Sequence, residues 1–524
     1  MIQDWKNSRA QLKWLMAMVL ALGIFFRCTH LDQKVYWRDE AFTSLRVSGF
    51  TVADVRQQLF DGHEIGKADL QIYQQLNATK SWLDTVQSLV VEDSQHPPLY
   101  YLLARGWMQY FGSSVAAIRS LSALLGVLVL PSLYWLCLEL FESALVSGVA
   151  IALVAVSPFH ILFAQEAREF VLWTVTTLLS SATLLRAMRV QKQLWWQLYA
   201  VVTGLGLYTL PLSGLVLLGH GLYVAVLEGW RLSKATIAFL LAALAGLLAF
   251  VPWLLVMLNQ AAKIHATTGW ATVKTNPLLR LLETAFNTSR LFLDVDFGWY
   301  NPFTYIVPPL IGLLGYALYM FCRQAPLRVK LFILTLAGAN ALTLMLLDLL
   351  LGGLRSTVPR YLIPYNLGIQ LAVAYVLAAK MSQPHKRSQQ WQQVTIVLVV
   401  LGIISCASSW SPESWWHKYD NAYLPPIARM VNQAPQPLLL SDNVSDRSVG
   451  NLLSLSHRLS DHVRLRLATE AATLEPPDAR HQVFLLRPSD TLVSKLQQGK
   501  NYQLTQVYRL IQFWRRDRLP DSKV

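Results

Sequence analysis

The chain is short of charge. Asp, Glu, Lys and Arg make up 15% of its 524 residues, against about 25% in soluble globular domains. It is also short of cysteine. The four present, Cys28, Cys137, Cys322 and Cys406, are dispersed with no CxxC pair, so they signal neither a disulfide framework nor a zinc or redox motif. There is no P-loop, GxGxxG, HExxH or GxSxG pattern, which removes the usual sequence signs of nucleotide binding, zinc proteolysis and serine hydrolysis. What is abundant is apolar surface: 54% of residues are hydrophobic. Charge-free runs such as 236–257 (TIAFLLAALAGLLAFVPWLLVM) are long enough to cross a hydrocarbon core of ~30 Å at ~1.5 Å per residue. A soluble enzyme, a disordered chain and a secreted disulfide scaffold are excluded. The formal net charge of +14 would point to nucleic acid on a soluble protein. On a membrane protein it reads as the positive-inside bias, and no nucleic-acid partner is expected.

Hydrophobic windows predict an α-helical polytopic membrane protein with about eleven spans, near 14–26, 115–138, 145–161, 169–188, 195–212, 213–230, 236–257, 302–322, 331–351, 361–379 and 392–410. Lys6, Arg9 and Lys13 precede the first, which reads as an uncleaved span. With a cytoplasmic N-terminus, the inner loops hold Arg186, Arg189 and Lys192; Arg231 and Lys234; Arg323, Arg328 and Lys330; and Lys380, Lys386 and Arg387. The exception is 139–144, which carries Glu139 and Glu142 instead. An odd span count places the C-terminus outside. The segment 97–112 (PPLYYLLARGWMQYFG) is short for a span and has Arg105 midway, so it reads as an interfacial amphipathic helix. The organisation expected is 1–26, first span; 27–114, an outer loop with an acidic pair and interfacial helices; 115–410, the membrane core; and 411–524, a small α/β outer domain. In that last part PLLLSD, HVRLRL and HQVFLLR read as strands, and SDRSVGNLLSLSHRLSD as a helix.

Four places could carry chemistry. Asp39–Glu40 follow the first span. An acidic pair there can act as a general base or hold a divalent cation; the alternative is a solvated loop start. His96, before Pro97–Pro98, can be a ligand, a base or a donor, or only a helix-start residue. SPFHILFAQEAREF (157–170) gathers His160, Glu166, Arg168 and Glu169, and ionisable groups at membrane depth tend to face a cavity. Arg355 and Arg360 lie in RSTVPRYLIP, where planar guanidinium forks suit a lipid phosphate; the alternative is interfacial snorkelling. His220 and Asp348 read as satisfied core polar groups.

Taken in order, the first span, Asp39–Glu40, HPPLYYLL, FGSSVAAIRSLSALLGVL, SPFHILFAQEAR and the late PRYLIP resemble the bacterial branch of the dolichyl-phosphate-mannose protein mannosyltransferase-like family. The lipid A aminoarabinose transferases are more distant relatives. The resemblance covers roughly residues 14–380. It implies a GT-C fold in a bacterial inner membrane, with the C-terminal domain periplasmic. It also implies a polyprenyl-phosphate-linked sugar donor and a hydroxyl acceptor on a protein, lipid or glycan, with inversion at the anomeric carbon. The family's first-loop aspartate maps onto Asp39, the expected general base, with Glu40 beside it. Arg355 and Arg360, then Arg168, are the expected phosphate ligands. His96 and Glu166 are expected to shape the pocket, and Glu40 and His96 are the ligands available should a divalent metal be used. The rivals are a transporter or flippase for a lipid-linked glycan, a ligase or polymerase using a pyrophosphate-linked donor, and a membrane scaffold with a sensory tail.

Overall fold

The computed structural model describes residues 2–273, 276–297, 300–383, 386–474, 480–497 and 502–518. Of the basic residues that set the orientation above, Lys6, Arg9, Lys13 and Lys386 have side chains outside the described set. The chain forms two compact units. One gathers residues 1–29, 93–100 and 119–411; the other gathers 30–92, 101–118 and 412–524.

The first unit is helical. Among the described residues seven helices are long and apolar enough to cross a membrane: Val115–Phe141, Phe170–Val190, Lys234–Asn259, Pro302–Gln324, Leu327–Leu351, Pro359–Met381 and Arg387–Trp410. An eighth span is available if Ala144–Ala155 and Pro158–Ala164, bent by 59°, are taken together. The remaining apolar segments form helices at Ile2–Cys28, with side chains described from Trp14 on, Gln193–Thr209 and Ser213–Leu227. Each of the eleven apolar windows therefore contains a helix, and among the described residues seven or eight have the length and composition to span.

Two buried ionic arrangements hold this unit. Arg27 is fully buried. Its Nη2 donates to Val154 O at 2.9 Å and its Nη1 to Gly23 O at 2.8 Å and to Ala155 O. Val154 and Ala155 end the helix at the bend, so Arg27 adds donors to carbonyls of the last turn and lies at the negative end of the helix dipole. The second arrangement explains the acidic 139–144 segment. Glu139 is buried and stands 3.2 Å from Arg186 Nη1 and 2.7 Å from Arg189 Nη2. Arg186 also lies over Trp195 at 5.3 Å, and Glu142 reaches Arg328 at 3.9 Å. The negative loop is thus the counter-charge for its positive neighbours.

The second unit is built on a mixed sheet. Among the described residues its strands are β1 (Asp61–Ile65), β2 (Pro437–Ser441), β3 (Arg464–Ala468), β4 (Gln482–Leu486), β5 (Tyr502–Tyr508) and β6 (Phe513–Arg518), in the order β1-β3-β2-β4-β6-β5. The β3–β2–β4 centre is parallel and the outer pairings are antiparallel. Strand β2 is buried throughout, which is why PLLLS is apolar without alternation. Leu438, Leu440, Val483, Leu485 and Leu504 lie in one core cluster.

Strand β1 comes from the first loop, some 400 residues from its partner. It supplies an edge to the C-terminal sheet, which assigns a structural role to part of the 27–114 loop. The helix Leu99–Phe111 has 13 residues, about 20 Å at 1.5 Å per residue, too short for a bilayer core. It is two-faced, with Tyr101, Ala104 and Met108 buried and Leu103, Tyr110 and Phe111 exposed. Its Arg105 is buried and donates to Val47 O at 2.8 Å and Thr85 Oγ1 at 3.1 Å.

Candidate active site

The second unit contains Asp39 and Glu40 in the first turn of the helix Arg38–Val47. A carboxylate there is favoured by the positive end of the helix dipole. The two side chains are treated differently. Asp39 is partly exposed, with Oδ1 4.0 Å from Arg38 Nε. Glu40 is fully buried, and its Oε2 accepts from Lys418 Nζ at 3.2 Å. Lys418 is itself buried and lies 5.3 Å from the Trp37 ring centroid. The segment Trp416–Tyr423 completes the clamp. Asn421 Oδ1 accepts from the Arg38 backbone N–H at 3.2 Å, and Arg38 Nη1 reaches Asp420 at 3.5 Å. The C-terminal residues Lys418, Asp420 and Asn421 therefore fix the start of the helix that presents Asp39. Sequence reasoning missed all three. The one available signal was the polar run HKYDNAY after two tryptophans.

The first unit holds the other candidates. Arg168 Nη2 lies 3.1 Å from Glu169 Oε1 and 3.5 Å from His96 Nε2, and His96 Nδ1 is 3.1 Å from the same Glu169 oxygen. Glu169 is fully buried. Burial by itself would raise its pKa, but the charges of Arg168 and His96 and the hydrogen bond with His96 outweigh it and hold the carboxyl at about 2. The extra acid beside QEAR is therefore neutralised in place. Phe170 follows, and two cations flank its ring: Arg168 at 5.6 Å and Arg360 at 5.4 Å from the centroid. Arg360 also lies 5.7 Å from the Tyr361 ring. Such stacking orders guanidiniums without removing their charge. Glu166 is buried in the turn just before Arg168. His160 is buried and bonds Gln370 Oε1 at 2.9 Å.

Arg355 is placed apart from this cluster of contacts. Its Nη1 and backbone N–H both reach Asp348 Oδ1, at 3.2 and 3.1 Å, while Asp348 Oδ2 takes the Ser356 N–H at 2.6 Å. Gly353 makes the fold-back possible. Its φ is +145°, and a Cβ there would lie 2.5 Å from Arg355 Nη1 and 2.6 Å from Asp348 Oδ1. Asp348 is thus a loop anchor and the counter-ion of Arg355. The motif PRYLIP is tied down next to it. Asn287 Nδ2 donates to Thr357 O at 2.8 Å and Asn340 Nδ2 to Tyr361 O at 3.0 Å.

Of the residues singled out in the sequence, His96, Arg168 and Arg360 come together, through Glu169 and Phe170. Arg355 is held by Asp348. Among the described residues no group of three or more His, Cys, Asp or Glu converges as metal ligands would; Glu40 faces Lys418 and His96 faces Glu169.

Residues 95–256 match the model of the family described as dolichyl-phosphate-mannose-protein mannosyltransferase. Two crystal structures of ArnT from Cupriavidus metallidurans share the architecture. The undecaprenyl phosphate complex has a TM-score of 0.54 at 13% identity, over 96% of this chain and 98% of that one. The apo state has 0.56 at 13%, over 97% and 98%. The chain has the GT-C glycosyltransferase fold. It is a multi-span membrane protein related to the protein mannosyltransferase family, as its motifs led us to expect. The archaeal oligosaccharyltransferase AglB from Archaeoglobus fulgidus, in complex with an inhibitory peptide and a dolichol-phosphate, is more remote, at a TM-score of 0.48 and 12% identity over 88% of this chain and 65% of that one. No curated protein matches the sequence.

The Glu169 environment yields a pH prediction. A carboxyl whose folded pKa lies below its unfolded value of about 4.3 adds stability above that value and loses it as pH falls toward the folded pKa. Glu169→Gln is expected to lower the melting temperature in detergent by several degrees at pH 7. The gap from the wild type should be present above about pH 5 and narrow as pH falls toward 2. A gap that does not narrow between about pH 5 and 2 would contradict the assignment to the Glu169 carboxylate.

Proposed function

We propose that the protein transfers a sugar from a polyprenyl-phosphate donor to a hydroxyl acceptor at the outer face of a bacterial inner membrane, with its N-terminus cytoplasmic. The observation that carries this reading is the placing of Arg168 and Arg360 against the Phe170 ring, with Arg168 and Phe170 inside the family-matched residues 95–256. Paired guanidiniums presented by an aromatic ring suit a phosphate monoanion or dianion. ArnT was crystallised with undecaprenyl phosphate, a ligand of the expected class.

Asp39 accepts the proton of the acceptor hydroxyl. The acceptor oxygen attacks the anomeric carbon from the face opposite the phosphate, and the C1–O bond to phosphate breaks. The electron pair leaves on the phosphate oxygen, so configuration inverts. Arg168 and Arg360 stabilise that developing charge in a site of low dielectric. Arg355, tied to Asp348, holds the PRYLIP loop and contributes to the field more than to direct contact. His96 and Glu169 fix the orientation of Arg168, and Glu166 shapes the turn that carries it. Glu40 assists by seating the helix start through Lys418.

The direct test is turnover. Purified protein incubated with a panel of polyprenyl-phosphate sugars and hydroxyl acceptors is expected to release free polyprenyl phosphate from at least one donor. No release from any of them, with the protein monodisperse and folded, would contradict the reading.

A further inference from the structure

The α/β unit reverses its strand order at its parallel centre. Its parallel centre runs β3–β2–β4. The chain goes from β2 through the helix Asp446–Ser456 to β3 on one side, then crosses to β4 on the other. Open α/β sheets bind ligands outside the carboxyl ends of the strands where the order reverses in this way. Here those ends are Ser441–Asp442 and Leu486–Arg487, set side by side by the Leu440–Leu485 register.

Three guanidiniums meet there around one carboxylate. Arg447, at the start of the helix after β2, donates Nε and Nη2 to Asp420 Oδ2 at 3.0 and 2.8 Å. Arg38 Nη1 stands 3.5 Å from Asp420, and its stem packs so closely on Gly450 that a Cβ there would lie 2.4 Å from Arg38 Cγ. Arg487 directly follows β4. It is close enough to Arg447, Asp420 and Arg38 to feel all three. Burial lowers its pKa first, Arg447 and Arg38 lower it further, and Asp420 opposes them. Its Nε is buried without a hydrogen-bond partner, and its backbone holds a φ of +50°. Strain of this kind in a non-glycine residue persists where the surroundings enforce it, often at ligand sites. The neighbouring Asp442 accepts from the Ser489 N–H at 2.8 Å and from its hydroxyl.

We propose that the crevice at the carboxyl ends of β2 and β4 binds an anionic group, a phosphate or carboxylate, carried by the acceptor. This rests on the transferase reading above. Arg447 is half exposed and forms the entrance, and the buried Nε of Arg487 supplies a donor at the back. Arg38 links the crevice to the chemistry, since the same side chain that reaches Asp420 has its Nε 4.0 Å from Asp39. An acceptor anchored by its anion would present a hydroxyl one arginine side chain away, beside the proposed base.

The test uses the full-length protein in detergent and inorganic phosphate as the probe, read by 31P line broadening. Undecaprenyl phosphate is added first in excess, so that the donor-phosphate position is filled. Phosphate broadening is expected to persist, to weaken at least five-fold in apparent affinity with R447Q, and to vanish with R447Q/R487Q. Because the Arg447 side chain is half exposed, the single variant decides the matter if the double variant does not fold. Equal broadening in wild type and variants, absent broadening in the wild type, or broadening abolished by undecaprenyl phosphate would each overturn the proposal. Donor turnover is measured separately on the wild type. Normal turnover with arginine-independent phosphate binding removes only the crevice. Arginine-dependent binding without turnover removes the transferase reading and leaves the anion site.

Discussion

Asp39→Asn is expected to lower sugar transfer by about 10²- to 10⁴-fold, the usual contribution of a positioned general base. The loss should fall on kcat, with the KM for the lipid donor and the melting temperature close to wild type. Asp39 is the more exposed member of its pair and sits in the first turn of the Arg38–Val47 helix. Asparagine keeps its shape and its place there but cannot take a proton at neutral pH. A lipid translocator has no use for that proton, so it would tolerate the change. Steady-state kinetics on the variant, with the wild-type donor and acceptor, check both halves of the statement. Unchanged kcat would remove Asp39 from the mechanism.

Lys418→Met is expected to be the most damaging single substitution in the α/β unit. It removes the ammonium that stands 3.2 Å from the fully buried Glu40 carboxylate. Breaking a buried pair from one side costs about 3–5 kcal/mol, whereas replacing both partners by neutral groups is often close to neutral. The double variant Lys418→Met/Glu40→Gln should therefore regain most of the stability lost by the single one. Denaturation of the four members of this cycle, with coupling read from their differences, makes the check. Activity adds a second readout. If Lys418 acts by seating the helix start, the double variant should also regain transfer. Additive losses in the cycle would show that the two side chains act independently.

Much of the membrane unit was legible because its physics is local. A helix in lipid satisfies its own backbone, so an apolar window of sufficient length announces it, and all eleven windows contain helices. The buried strands PLLLS and QVFLL were equally plain. What stayed hidden was pairing across long sequence distances. No periodicity links β1 in the first loop to β3 near the C-terminus, since an edge strand of five residues with burial on one position only carries little pattern. The acidic 139–144 segment looked anomalous because a loop read alone has no partner; Glu139 makes sense once Arg186 and Arg189 are beside it. The site was legible in its residue types and not in its wiring. Of the residues chosen for their chemistry, His96 and Arg168 meet through Glu169, and Arg360 shares the Phe170 ring with Arg168. Arg355 was chosen on the same grounds, yet Asp348, read as an inert core group, holds it. Lys418 and Arg447 were passed over because a lone cation in a polar tail is ordinarily a solvated one. Only the fold puts them against Glu40 and Asp420.

The central claim is that a glycosidic bond is broken and remade, and one measurement bears on it directly. Protein reconstituted into vesicles is given a polyprenyl-phosphate sugar labelled in the sugar, together with a hydroxyl acceptor, and the fate of the label is followed. We predict labelled acceptor of inverted anomeric configuration, with an equal amount of free polyprenyl phosphate, and loss of both in Asp39→Asn. Labelled sugar that crosses the bilayer still attached to its lipid, at the same rate in wild type and Asp39→Asn, would contradict the account.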